Sequence, residues 1–223
     1  MFMRKFLLAA MAMVALSASA QSGTTEKREN SSFWSNCFVS AALGPQVMFS
    51  DNDRQIDFGD RISPALDIAV GKWFKPWVGV RLMYSGVQMR GATRWGLAHS
   101  TGEQVLGWGD GLHKQKFGSY HVHADALFNL TNVFWGYDES RVWNGSVYGG
   151  IGVMGTADSP TAACVAGDFG ILNTFRVAND WDINVDLRGT LTQDKFDGEE
   201  GERIDAVLGL TVGVTYRFAL RGW

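Results

Sequence analysis

The segment from Trp181 to Thr192, WDINVDLRGTLT, changes polarity at nearly every residue. Trp181, Ile183, Val185, Leu187 and Leu191 take one parity, and Asp182, Asn184, Asp186, Arg188, Thr190 and Thr192 take the other. Successive side chains of a β-strand point to opposite faces, so the segment reads as a strand with one apolar and one polar face. The rhythm recurs in seven further segments. Val39, Ala41 and Leu43 oppose Ser40, Gly44 and Gln46; Leu66, Ile68 and Val70 oppose Asp67 and Gly71; Val80, Leu82 and Tyr84 oppose Arg81, Met83 and Ser85. In YHVHADALFNL, Val122, Ala124, Ala126 and Phe128 oppose His121, His123 and Asp125. Val147, Ile151 and Val153 oppose Asn144, Ser146 and Tyr148; Phe169, Ile171 and Phe175 oppose Asp168, Thr174 and Arg176; Leu208, Leu210, Val212 and Val214 oppose Asp205, Thr211, Thr215 and Arg217. Each segment runs to about ten residues or more, the length of a tilted membrane strand. Hydrophobic residues are 46% of the chain, yet beyond the first twenty they are spread by alternation, with no run near the ~20 that a transmembrane helix needs.

Alternation alone leaves open which face is outside, because a soluble lipocalin-type barrel alternates with its apolar face inward. The composition of the polar face decides for the membrane. Its charges are Asp67, Arg81, Asp125, Asp168, Arg176, Asp182, Asp186, Arg188, Asp205 and Arg217, with no lysine or glutamate at the strand centres. A solvated face favours long, flexible Lys and Glu, whereas Asp and Arg among Gly, Ser and Thr suit a confined interior of paired charges. Connections alternate in length. Those at Lys75-Pro76, Thr131 to Ser140 and Ala178 to Asp180 are short or moderate; Ser50 to Arg61, Arg90 to Lys116 and Gln193 to Glu202 are longer, and Gly155 to Ala163 is intermediate. Aromatic residues gather at the short-turn ends: Trp34, Trp73, Trp77, Trp135, Trp143, Trp181 and Phe218. Short turns on one side, long loops on the other and an aromatic girdle are the habit of outer-membrane barrels. The expected fold is all-β, an eight-stranded antiparallel up-and-down transmembrane β-barrel over residues 33–218.

The start of the chain reads as a secretory signal peptide over residues 1–20: MFMRK is basic, FLLAAMAMVAL is apolar but short, and SASA supplies small residues before Gln21. Residues 21–32 read as a short polar periplasmic tail, and 219–223 as a short periplasmic end. A net charge of -3 gives no reason to expect nucleic acid as a partner. The alternation places Cys37 and Cys164 at opposite ends of the strands, so they are expected to stay unpaired.

Three blocks carry a family resemblance: LGPQVMFSDNDRQIDFGDRISPALDIAVGKWF, ILNTFRVANDWDINVDLRGTLTQDKFDGE and TVGVTYRFALRGW. They resemble the N-terminal transmembrane barrel of OmpA-family outer-membrane proteins of Gram-negative bacteria. The last block also looks like the C-terminal signal of such barrels, with Thr211, Gly213, Tyr216 and Phe218 in the matching places. The resemblance implies both ends in the periplasm, outer-membrane lipid around the wall and the barrel-assembly machinery as a partner during insertion. OmpA proteins usually continue into a peptidoglycan-binding domain; this sequence stops five residues after Phe218, so peptidoglycan binding is not expected of it.

An eight-stranded barrel is just wide enough for its own side chains. The inward set, with His121 and His123 added, is therefore read as a structural network that fills the lumen, with a narrow gated pore as the alternative. His121-His123-Asp125 has the residue types of a metal site, but Asp125 lies ~13 Å along the strand from His121, so lumen hydrogen bonding is preferred and no metal or cofactor is expected. In the long loop, His99, Ser100 and Glu103 offer the types an enzyme needs, yet no Gly-x-Ser-x-Gly elbow is present. No catalytic residue is assigned, with a surface lipid-modifying or proteolytic enzyme kept as the alternative. Trp95 and Trp108 in that loop are candidate anchors for an extracellular ligand. The expected function is a structural barrel that contributes to envelope integrity and presents loops.

Overall fold

The computed structural model describes residues 34–50, 52–94, 99–105, 111–159, 161–193, 196 and 204–218. The expected signal peptide, tail and final five residues lie outside these, as do Trp95 and Trp108. Nine strands follow in chain order: β1 (Cys37–Phe49), β2 (Ile62–Lys75), β3 (Val78–Thr93), β4 (Ser100–Gln104), β5 (His113–Asn129), β6 (Trp143–Thr156), β7 (Ala163–Arg176), β8 (Trp181–Thr192) and β9 (Asp205–Phe218). Eight of them close on themselves, each antiparallel to its neighbours: β1 pairs with β2 and with β9, and β3 with β5. The short β4 stands outside that ring. It pairs with β5 around Gln115, beyond the last β5–β6 pair at Ser119 and Thr156.

The two faces settle the direction of burial. Leu43, Val165 and Ile151 on the outer face are 65%, 64% and 74% exposed, while Arg81 and Asp125 inside are 3%. A soluble barrel shows the opposite arrangement. The wall is apolar outward and the charges are inward, which is the arrangement lipid requires.

Inside, the filling is layered. Toward the long-loop end Met48, Met89, Phe117, Met154, Cys164, Ala166, Phe196 and Val207 form an apolar cluster. Toward the short-turn end Phe38, Leu127, Tyr148 and Leu172 form a second, against which Trp73 packs. The charged residues lie between and below these clusters. Cys37 pairs in register with Lys72 and Phe218 at the short-turn end, whereas Cys164 pairs with Met154 at the other, and the two are not joined by a disulfide.

Two connections are more ordered than the sequence suggests. In the stretch expected as a loop from Arg90 to Lys116 the described residues are largely strand, with β3 and β5 paired as far as Thr93 and His113 and β4 lying between them in sequence. Beyond the bilayer a strand has no lipid to face, so the apolar half of the alternation disappears while the backbone ladder continues. At the opposite end Leu130–Trp135 is a short helix, capped by Asn129, whose side chain accepts from the Asn132 N–H at 2.9 Å.

Candidate functional site: a charged layer inside the barrel

Arg81 on β3 sits in register with Asp125 on β5. Its Nε donates to Asp125 Oδ2 at 2.8 Å, and its Nη1 reaches Asp186 on β8 at 2.8 Å. The guanidinium lies 4.4 Å from the centroid of the Tyr148 ring, and the Tyr148 hydroxyl donates to the other oxygen of Asp186 at 2.6 Å. One arginine therefore ties β3 and β5 to β8 across the lumen, with β6 bracing it.

Arg188 repeats the arrangement nearer the long loops. It donates to both oxygens of Asp67 on β2, at 3.1 and 3.3 Å, and to Ser85 on β3 at 2.6 Å. Thr211 on β9 donates to Asp67 at 2.9 Å. Both arginines are nearly fully buried, where a charge is tolerated only when paired and hydrogen-bonded.

The histidines form the third part. Their rings stack at 4.4 Å between centroids with 20° between planes. His123 Nδ1 is 2.7 Å from Asp125 Oδ1. Asp168 on β7 comes to His121 Nε2 at 3.2 Å and to His123 Nδ1 at 3.7 Å, while its other oxygen accepts from Thr190 at 2.7 Å. Asp168, not Asp125, is therefore the carboxylate within reach of both rings. Spacing along one strand cannot reveal a residue supplied by another, so alternation puts Tyr148, Ser85 and Thr190 on the inward face without showing which groups they bind.

The remaining inward residues lie elsewhere. Asp182 and Arg217 pair at 3.0 Å at the short-turn rim. Arg176 is half-exposed there and donates to the Glu139 carbonyl, so it belongs to the rim and not to the central layer. Asp205 opens β9 opposite Thr192 at the long-loop end. A cavity of about 110 Å³ occupies the short-turn mouth, reaching from Arg176, Asp182 and Arg217 to Arg81.

Of the aromatic set, Trp77, Trp135, Trp143 and Trp181 are exposed at the short-turn end, and Phe218 meets Tyr216 edge-on at 5.0 Å. Trp73 departs from expectation. It shares the inward parity of Asp67, Ala69 and Gly71, and it packs on Phe38 at 6.4 Å inside the barrel. Gly213 sits at the closing seam, where a Cβ would come within 2.1 Å of the Ala41 carbonyl on β1. In the stretch between β3 and β5, His99, Ser100 and Glu103 do not converge. The His99 ring lies against Phe117 at 4.7 Å, Ser100 Oγ accepts from the Gly102 N–H, and Glu103 pairs with Lys114.

No family model matches the chain. Among curated proteins it is similar to outer membrane protein 40 of Porphyromonas gingivalis, 26% identical over 245 residues that cover 98% of this chain and 59% of the relative. Outer membrane protein 41 of the same organism is 27% identical over 166 residues, covering 68% of this chain and 38% of that protein. Among solved structures, Neisserial surface protein A matches with a TM-score of 0.51 at 11% identity, over 82% of this chain and 98% of that one. The chain is an outer-membrane β-barrel of OmpA-like fold. It spans 59% and 38% of the two curated relatives' lengths. Outer-membrane barrels generally keep their short turns on the periplasmic side and their long loops outside.

Proposed function

We propose that this barrel is a structural, non-enzymatic element of the outer membrane, which strengthens the envelope and presents its extracellular hairpins to surface partners. The observation that carries the reading is the pair of buried arginines, Arg81 and Arg188, each linking strands from opposite sides of the wall. Charge pairs of this kind fill the lumen and hold eight strands in one register. The lack of convergence of His99, Ser100 and Glu103 supports a role without turnover. The β3–β5 hairpin with β4 extends the sheet beyond the membrane and offers a rigid edge for binding an extracellular ligand. Thr211, Gly213, Tyr216 and Phe218 on the last strand remain the proposed handle for the assembly machinery, with Gly213 and Thr211 also serving the seam and the lumen.

Deleting the gene and scoring leakage of periplasmic proteins and sensitivity to detergent tests this reading. Leakage restored to normal by the wild-type chain, and equally by a His99→Ala/Ser100→Ala variant, is the expected result. Rescue that depends on those two side chains would favour a surface enzyme. A second reading, a narrow gated pore, draws on the periplasmic cavity, which ends against Arg81. It requires the Arg81 pairs to break before anything passes.

A further inference from the structure

The charged layer is not neutral in itself. Asp67, Asp125, Asp168 and Asp186 face Arg81 and Arg188, so among these residues two negative charges remain without a cation. Arg81 takes up Asp125 and Asp186, and Arg188 takes up Asp67. Among the described residues Asp168 has Thr190 and the two histidines as its polar neighbours. Unpaired buried charge is costly, and two routes would supply the missing two positive charges. Protonating both imidazoles puts like charges into rings stacked at 4.4 Å, where they repel strongly in a low dielectric. A divalent cation supplies both charges at once.

The atoms around this point suit the second route. His123 Nε2 is buried without a hydrogen-bond partner among the described residues, and His121 Nε2 and Asp168 Oδ2 face each other at 3.2 Å. His121, His123 and Asp168 each offer a ligand atom, all within 4.8 Å of one another. Tetrahedral ligands about 2.1 Å from a zinc ion are about 3.4 Å apart, and Asp168 Oδ2 stands 3.2 Å from His121 Nε2 and 3.7 Å from His123 Nδ1. The next oxygen, Asp125 Oδ1, is 2.7 Å from His123 Nδ1 and anchored by Arg81.

We propose that His121 Nε2, His123 Nδ1 and Asp168 Oδ2 form a binding site for a divalent transition-metal ion inside the barrel, with Asp125 as the fourth donor. Imidazole nitrogen with carboxylate oxygen favours Zn²⁺, Ni²⁺ or Cu²⁺ over Mg²⁺ or Ca²⁺. The site is structural: the metal replaces protons as the counter-charge and joins β5 to β7, which are not neighbours in the sheet.

The test refolds the full chain in detergent with excess Zn²⁺ or Co²⁺, removes loose metal with a chelator, and measures retained metal by mass spectrometry and Co²⁺ by visible absorption. The expected result is one ion per chain, with a Co²⁺ spectrum of nitrogen and oxygen ligands. The chain has four histidines. A His99→Ala/His113→Ala variant should keep the ion, and His121→Gln or Asp168→Asn should lower retained metal at least tenfold. Folded wild-type barrel that retains no ion and gives no Co²⁺ spectrum overturns the proposal, whatever the variants do. So does an ion lost on removing His99 and His113.

Discussion

Arg81 concentrates more of the lumen's electrostatics than any other described side chain, since its removal leaves Asp125 and Asp186 as buried charges without their cation. Breaking one partner of a buried pair costs about 3–5 kcal/mol. Urea titration in lipid vesicles should show a loss of that size for Arg81→Ala. Lys114→Ala, which removes exposed pairs with Asp60 and Glu103, should leave the midpoint unchanged. Gly213 answers to shape alone. A Cβ there would collide with backbone of β1, and overpacking of this kind costs about 1–3 kcal/mol, so Gly213→Ala should fold less stably in the same titration. Asp53 gives a pH dependence at the long-loop end. It is buried, accepting from the Ser50 and Ala92 N–H groups at 3.0 and 2.9 Å, and burial pushes its carboxyl above the ordinary aspartate range despite those bonds and the nearby Arg61. A folded-state value raised above the unfolded one means that its contribution is fully present below the unfolded value and is lost as pH rises through the folded one. The stability difference between wild type and Asp53→Asn should therefore move against the wild type as pH rises through that window.

At the scale of the strand, the lipid face sets the cost of a charge by depth. Leu187 lies midway along β8 between Ile171 and Leu210, all three exposed on the outer wall. Arginine near the bilayer midplane costs about 2–4 kcal/mol and near the interface about 0–1. Folding titrations should accordingly rank Leu187→Arg well above Ile204→Arg, since Ile204 precedes the long-loop start of β9. The reverse ranking would place the apolar face inside. The lipid-facing strands are legible in the sequence because each outward residue must be apolar, and β8 alternates almost without exception. The protruding parts of β3 and β5 are not, because water accepts either residue type on both faces. Parity also decides Trp73, which its place at a short-turn strand end puts in the girdle although it packs on Phe38 inside the barrel. Of the charged layer, the inward residue types are readable from period two. The cross-lumen partners are not, since Asp168 meets His121 only once β5, β6 and β7 are wound into a cylinder.

For the whole molecule, the proposed structural role makes the lumen a braced interior and not a conduit. Arg81 and Arg188 draw β3, β5 and β8, and β2, β3 and β8, toward a common centre, and apolar clusters lie on either side of that layer. The described residues place side chains from every one of the eight barrel strands in this interior, in keeping with a barrel of this size that has only enough room for its own side chains. Planar-bilayer recording of the refolded wild-type chain tests this most directly. Insertion with no sustained ionic current at either polarity is the expected result. A steady, ohmic conductance from the folded wild-type barrel would contradict it.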